Sequence, residues 1–212
     1  RKEAEQYFRK QMELLTSAGF DALGIGSMEE PGFLREAGIE LPMYFDQGMY
    51  SWNHLAGAAM ERYGADRLTI PVELNEREIR DSGVQGEMIV YGYLPMMISA
   101  QCIRKTTLGC SGKPEVMWLK DRKDMRFPVV NQCRFCYNTI YNSAPLSLLG
   151  LSEQVTGLKP NAVRLNFTVE EPAAAGEILD AFFEEYGMSE KAAEPPVLRN
   201  QFTRGHFKRG VE

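Results

Sequence analysis

Apolar positions along the chain recur with two periods in alternation. Over Glu3 to Ser17, Phe8, Met12 and Leu15 fall at helical spacing, and Ala18-Gly19 supplies a stop of the kind helices commonly use. The run Ala22 to Gly26 is short and apolar, as in a buried strand, and Met28 to Ala37 reads as a helix closed by Gly38. The unit then repeats. Pro42 to Phe45 reads as a strand, and Trp52 to Tyr63 as a helix with Trp52, Leu55, Ala59 and Tyr63 along one face and Gly64 as its stop. Leu68 to Val72 reads as the next strand, Glu73 to Asp81 as its helix, and Glu87 to Tyr91 as the strand after that.

The alternation fails between Gly92 and Asn138, where turn glycines flank Trp118-Leu119 and Phe127-Pro128-Val129-Val130, the short strands of an inserted hairpin. It resumes with Pro145 to Val155 as a helix, Ala162 to Thr168 as a strand, and Ala173 to Tyr186 as an amphipathic helix with Ala175, Leu179, Phe182 and Tyr186 inward. Alternating strands and helices predict an α/β fold with a parallel sheet, either doubly wound or a (β/α) barrel. About five strands are visible against the eight of a closed barrel. The expected architecture is a partial, TIM-like barrel, its C-terminal half, over residues 1–188. Residues 92–138 form a cysteine-bearing insertion and 189–212 a polar surface tail with Pro195-Pro196. The opening RKEAEQYFRK has neither an initiator Met nor a signal segment, so an upstream half of the same chain is expected to supply the missing strands.

Composition narrows the function classes. Hydrophobic residues at 44% and charged residues at 25% are ordinary for a globular chain of 212 residues. A net charge of −5 argues against a surface given over to nucleic acid, although Arg104-Lys105, the stretch Lys120 to Arg126 and Arg199 to Arg209 leave room for a local basic patch. The longest apolar stretch, Met88 to Ile98, is broken by Gly92 and Pro95, so no membrane span is expected, and the expected setting is cytoplasmic.

The four cysteines change the picture most. All lie in the segment that breaks the alternation, as Cys102-x7-Cys110, a gap of 22 residues, and Cys133-x2-Cys136. Disulfides fit poorly in a chain of this size without a secretory signal, and unrelated core thiols would not cluster this way. One metal centre is the better reading. Thiolate-only ligation suits structural zinc or an iron–sulfur cluster, and spacing does not separate them. His54 and His206 are the only histidines, so a histidine-rich zinc site or a Cys–His nucleophile pair is not readily built nearby. Cys102 follows a predicted strand, which places the metal beside the active site of a parallel α/β fold.

Other candidates come from position. Asp46, Asn53, Glu73 and Glu87 fall at or just after predicted strands, where barrel enzymes carry catalytic groups, with helix capping and solvated edges as the plainer explanations. Tyr91 joins them as a catalytic candidate; it and Tyr93 alternate on a strand, where either can stack on a planar substrate or pack the core. Arg104 and Arg134, next to the cysteines, are candidates to hold a carboxylate or phosphate, with Arg164 on the later strand and Arg204 near the tail as lesser ones that solvated ion pairs would also explain. No G-x-S-x-G elbow, H-E-x-x-H pair or aspartic dyad motif is present.

The stretch Glu87-Met-Ile-Val-Tyr-Gly-Tyr-Leu-Pro-Met-Met-Ile-Ser-Ala-Gln-Cys102, with Asp121-Arg122, Phe127-Pro-Val, Asn142-Ser143 and Phe202-Thr-Arg-Gly205, resembles the collagenase-like peptidases of unclassified type, the U-thirty-two peptidase family, over roughly residues 20–210. The resemblance implies a (β/α) barrel and a four-iron, four-sulfur cluster (4Fe-4S) held by cysteines. It also implies hydroxylation that is prephenate-dependent or oxygen-independent, on RNA bases or small aromatic substrates, as in relatives acting on ribosomal RNA cytidine, transfer RNA uridine and ubiquinone precursors. Cys102 and Cys110 match that family's first cysteine-rich loop, and Cys133 or Cys136 its downstream ligands. This chain departs from the pattern in having Pro95 where many members place a cysteine, and Cys136 is the suspected substitute. Two alternatives stay open: a metal-assisted peptidase, as the family's name says, and a zinc-stabilised binding module.

Overall fold

A computed structural model describes residues 2–188 and 202–210. The elements in chain order are α1 (Lys2–Ser17), β1 (Leu23–Ile25), α2 (Glu30–Glu36), β2 (Met43–Phe45), α3 (His54–Tyr63), β3 (Arg67–Leu68), α4 (Glu76–Ser82), β4 (Glu87–Gly92) and β5 (Pro95–Ser99). There follow α5 (Ile103–Thr107), β6 (Val116–Lys120), β7 (Arg126–Gln132), β8 (Tyr137–Tyr141), β9 (Leu146–Ser147), α6 (Ser152–Gly157), β10 (Ala162–Asn166) and α7 (Pro172–Glu185). They fall into two compact units: Arg1–Ile89 with Gln154–Arg164 and Gly205–Glu212, and Val90–Glu153 with Leu165–Arg204.

The first unit carries the expected alternation. β1, β2 and β3 are parallel and stand in sequence order, with Ile25 opposite Phe45 and Phe45 opposite Leu68. A parallel bridge from Thr69 to Glu87 continues the pairing toward β4. Ile25, Leu34, Ile39, Phe45, Met49, Leu68 and Val84 make one buried cluster against this sheet, and their burial stabilises the unit. Helix ends follow local chemistry. Asn53 caps α3 by accepting from the Ala56 N–H at 3.0 Å, and Asn75 with Glu78 forms a capping box on α4.

Those caps shift two predicted helices. α3 starts at His54, so Trp52 lies ahead of it, and Leu55, expected on the inner face, is 67% exposed. α4 starts at Glu76, which leaves Glu73 outside the helix. On α7 the inward residues are Ile178, Ala181 and Phe182, and Leu179 is exposed, a one-position rotation of the expected face.

In the second unit the expected hairpin, β6 with β7, is one edge of a larger antiparallel sheet, in the order β5-β8-β7-β6. The segment 145–155, expected to be one helix, is helical only at its end, where α6 begins at Ser152; residues 145–151 are a short strand and turn. Leu146 and Ser147 pair with Gly92 and Tyr91, the Ser147 N–H donates to Thr203, and the Leu148 N–H donates to Val90 at 2.7 Å. These long-range hydrogen bonds override a local pattern that periodicity alone cannot assign. Gly92 is obligatory where β4 ends: its φ is +152°, and a Cβ there would lie 2.4 Å from the Asn166 carbonyl oxygen.

The protein is a mixed α/β chain with seven helices and three open sheets among the described residues, none closed into a barrel. Residues 189–201 and 211–212 of the expected tail lie outside the described residues. Of the rest, Thr203 bridges Leu146 and Phe207 is buried.

Candidate functional site

β7 and β8 form a hairpin whose last pair is Gln132 with Tyr137, so residues 133–136 are its four-residue loop and Cys133 and Cys136 are the loop's two ends. The Phe135 N–H closes the turn onto the Gln132 carbonyl at 3.2 Å, and Cys136 takes a left-handed φ of +55°. One strand pair further in, Asn131 and Asn138 stand opposite each other, 1% and 0% exposed.

These two amides hold the segment that carries the other cysteines. Asn138 donates to the Gln101 carbonyl at 2.6 Å and accepts from the Ile103 N–H at 3.3 Å, which brackets Cys102 at the start of α5. Asn131 accepts from the Glu115 N–H at 2.6 Å, donates to the Lys113 carbonyl at 3.3 Å, and reaches the Cys133 Sγ at 3.4 Å. The Cys133 thiol itself donates to the Lys113 carbonyl at 3.0 Å. Arg104 completes the frame. Its guanidinium donates to Glu115 at 3.0 Å and to the Gly109 carbonyl at 2.6 Å, clamping both sides of the loop that bears Cys110. Ser111 and Arg104 hold the Glu115 carboxyl below the usual range.

All four cysteines are free thiols, Cys102 and Cys133 half-buried and Cys110 and Cys136 exposed. They sit within electrostatic reach of one another. Desolvation pushes the Cys133 thiol up, and the neighbouring charges of Cys110, Cys102, Cys136 and Glu115 add to it. Among the described residues, no three His, Cys, Asp or Glu side chains converge tightly enough for a single ion. The donor set nonetheless fits a thiolate-held centre in kind: four free thiols as soft sulfur ligands, with an N–H donor on Cys133. A cluster also spaces its ligands more widely than one ion does.

A second group lies in the first unit. Asp46 follows β2, and its Oδ1 accepts from Arg164 of β10 at 2.5 Å. Arg164 Nε is also 3.1 Å from Glu87, within ion-pair range but misaligned for a hydrogen bond, since that nitrogen has no partner. Three residues expected at the site from sequence position alone thus form one charged group, with side chains 42% (Asp46), 26% (Glu87) and 29% (Arg164) exposed. Glu73 stands apart from any ion pair found here and keeps one buried oxygen, Oε2, without a partner.

Tyr91 is 3% exposed, its ring 5.6 Å from that of Phe167. Burial pushes its hydroxyl well above the phenol range, and the Glu170 carboxylate adds to this, so it is protonated at neutral pH and unsuited to act as a base there. Tyr93 is raised for the same two reasons. Arg134 lies exposed in the hairpin loop. Arg204 is committed to the Ser147 and Leu149 carbonyls at 2.7 and 2.6 Å. Sequence reading passed over Asn131, Asn138 and Glu115. The signal for the first two was present: asparagines inside apolar strands, each two residues outside the C-x2-C pair.

No curated protein and no solved structure matches the chain. The family model described as Peptidase family U32 matches residues 1–178, and the chain belongs to that family.

Proposed function

We propose that this protein is an iron–sulfur enzyme of its family, with a centre held by Cys102, Cys110, Cys133 and Cys136, that hydroxylates an RNA base or a small aromatic substrate. The observation that carries this reading is the gathering of all four thiols on one scaffold: Cys133 feels the charges of the other three, and two buried asparagines pin their segments together. A four-iron cluster supplies one-electron redox chemistry when bound. The chain's own residues hold it: Asn131, Asn138, Arg104 and Glu115 secure the cysteine loops.

The sheet of the first unit supports reading it as part of a (β/α) barrel. Its three parallel strands run in sequence order, with the Thr69–Glu87 bridge next in line, as consecutive barrel strands do. No helix among the described residues is long and apolar enough to cross a membrane, in keeping with an enzyme that meets RNA or a small metabolite in the cytoplasm.

The test is anaerobic purification followed by iron, sulfide and zinc analysis, then incubation with RNA and prephenate, the co-substrate that would have to supply the oxygen atom and accept the two electrons, and mass spectrometry of the nucleosides. Iron and sulfide in the wild type, lost in Cys133→Ser, together with a nucleoside heavier by one oxygen atom, support the reading. Stoichiometric zinc without iron or sulfide overturns it in favour of a zinc-stabilised module. Collagen-peptide cleavage that a single site substitution abolishes would favour the metal-assisted peptidase reading instead.

A further inference from the structure

An asparagine inside a sheet is costly unless its amide is satisfied, because a buried amide without partners has given up its hydrogen bonds to water and gained nothing in return. Asn131 and Asn138 are both essentially inaccessible, and they are neighbours across β7 and β8, with their side chains on one face. Among the described residues, both side chains direct their hydrogen bonds at the segment 99–115, which carries Cys102 and Cys110, with one exception. That one is the contact from Asn131 Nδ2 to the Cys133 Sγ, at 3.4 Å. Asn138 instead bonds only to Ser99, Gln101 and Ile103, with no sulfur among its partners.

We infer that Asn131 and Asn138 are positioning residues of the metal centre with divided roles. Asn131 donates an N–H···S hydrogen bond to the Cys133 ligand and so sets the centre's electron affinity. Asn138 fixes the turn that presents Cys102 and so sets how firmly the centre is retained. The inference rests on the iron–sulfur reading above and deepens it. Its physical basis is general. A hydrogen bond to a ligating sulfur withdraws negative charge and stabilises the reduced state, while a bond to the backbone around a ligand only holds geometry.

The experiment uses the full chain, loaded with iron and sulfide anaerobically. Two quantities are read for the wild type and for Asn131→Ala, Asn131→Asp and Asn138→Ala: the reduction potential of the centre and the rate at which an iron chelator strips it. Asn131 variants are expected to shift the potential to more negative values, and Asn138→Ala to leave it near the wild type. Asn138→Ala is expected to speed iron loss on the order of 10–100-fold, the range for residues that support metal ligands, and more than the Asn131 variants do; loss at the wild-type rate overturns its role. Asn131 variants with the wild-type potential overturn the inference.

A measurement on the wild type keeps the test independent of variant folding. With asparagine labelled with ¹⁵N at the side-chain amide, pulsed paramagnetic resonance of the reduced centre should show one coupled ¹⁵N nucleus, and its absence overturns the role of Asn131. A wild type that takes up no iron and sulfide under these conditions brings down the reading beneath and this inference with it. A loaded wild type indifferent to Asn131 brings down the inference alone.

Discussion

The Arg164 guanidinium meets the Asp46 carboxylate at 2.5 Å although 118 residues separate them in the chain. Glu87 sits on the guanidinium's other side at 3.1 Å, so one cation holds two carboxylates that would otherwise repel. Replacing Arg164 with Gln should therefore expose that repulsion. A double-mutant cycle between Arg164→Gln and Asp46→Asn, read from urea unfolding, is expected to give a coupling of about 1 kcal/mol, near the top of the range for exposed pairs because both side chains are only partly exposed. The coupling should shrink in high salt. No measurable coupling would mean that the pair is held in place by its surroundings and contributes nothing itself.

Asn138→Ala strands the Gln101 carbonyl and the Ile103 N–H in a half-buried setting. A loss of roughly 2–3 kcal/mol is expected from the unsatisfied partners. The apo protein should also alkylate faster at Cys102, whose segment the amide secures, and peptide mapping after timed alkylation checks this. Unchanged labelling at Cys102 would show that α5 holds its start without the amide.

Gly92→Ala should be among the most damaging single changes in the chain. The new Cβ would sit 2.4 Å from the Asn166 oxygen, and the backbone there has a φ of +152°. The expected cost exceeds about 3 kcal/mol, from strained backbone and forced separation together. Gly112→Ala is the comparison: its φ is +68° with nothing within 4 Å of an added Cβ, so only about 1–2 kcal/mol is at stake. Thermal melts of the two variants side by side test the ranking, and equal melting points would contradict it.

Alkaline pH should loosen the second unit through its tyrosines. Burial first, and then the Glu185 charge, push Tyr186 from 10.0 up to about 12, and burial with Glu170 pushes Tyr91 higher still. In the folded state these phenols keep protons that the unfolded chain releases. Stability is thus untouched below the unfolded value of 10.0 and falls as pH rises from there toward about 12. Ultraviolet titration of tyrosinate should show some phenols ionising only above the ordinary range, in step with loss of circular dichroism. A single titration of all tyrosines near their ordinary value, with structure retained, would argue against the burial.

Much of the first unit could be read from the sequence because its determinants are local. Apolar spacing and glycine stops placed α1 to α4 and β1 to β4 to within a few residues, and the misjudged starts of α3 and α4 trace to caps, Asn53 and Asn75, that lie next to those helices. The clustering of four cysteines was likewise visible as spacing alone. Helical periodicity failed at 145–151, ahead of α6, where the backbone hydrogen bonds of Pro145, Ser147 and Leu148 go to Val90 and Thr203, residues that no window around that segment contains.

What the sequence by itself determined was the repertoire: which residues can ligate, cap or bury, and the alternation of strand and helix. Only tertiary structure decided the partnerships. Asp46, Glu87 and Arg164 become one group through strand pairing, and Asn131 and Asn138 become one frame through the register of β7 against β8. The reason is physical. Local preference depends on neighbours a few residues away, whereas the partner of a buried amide or a half-buried charge is set by which distant strands share a sheet, and in which register.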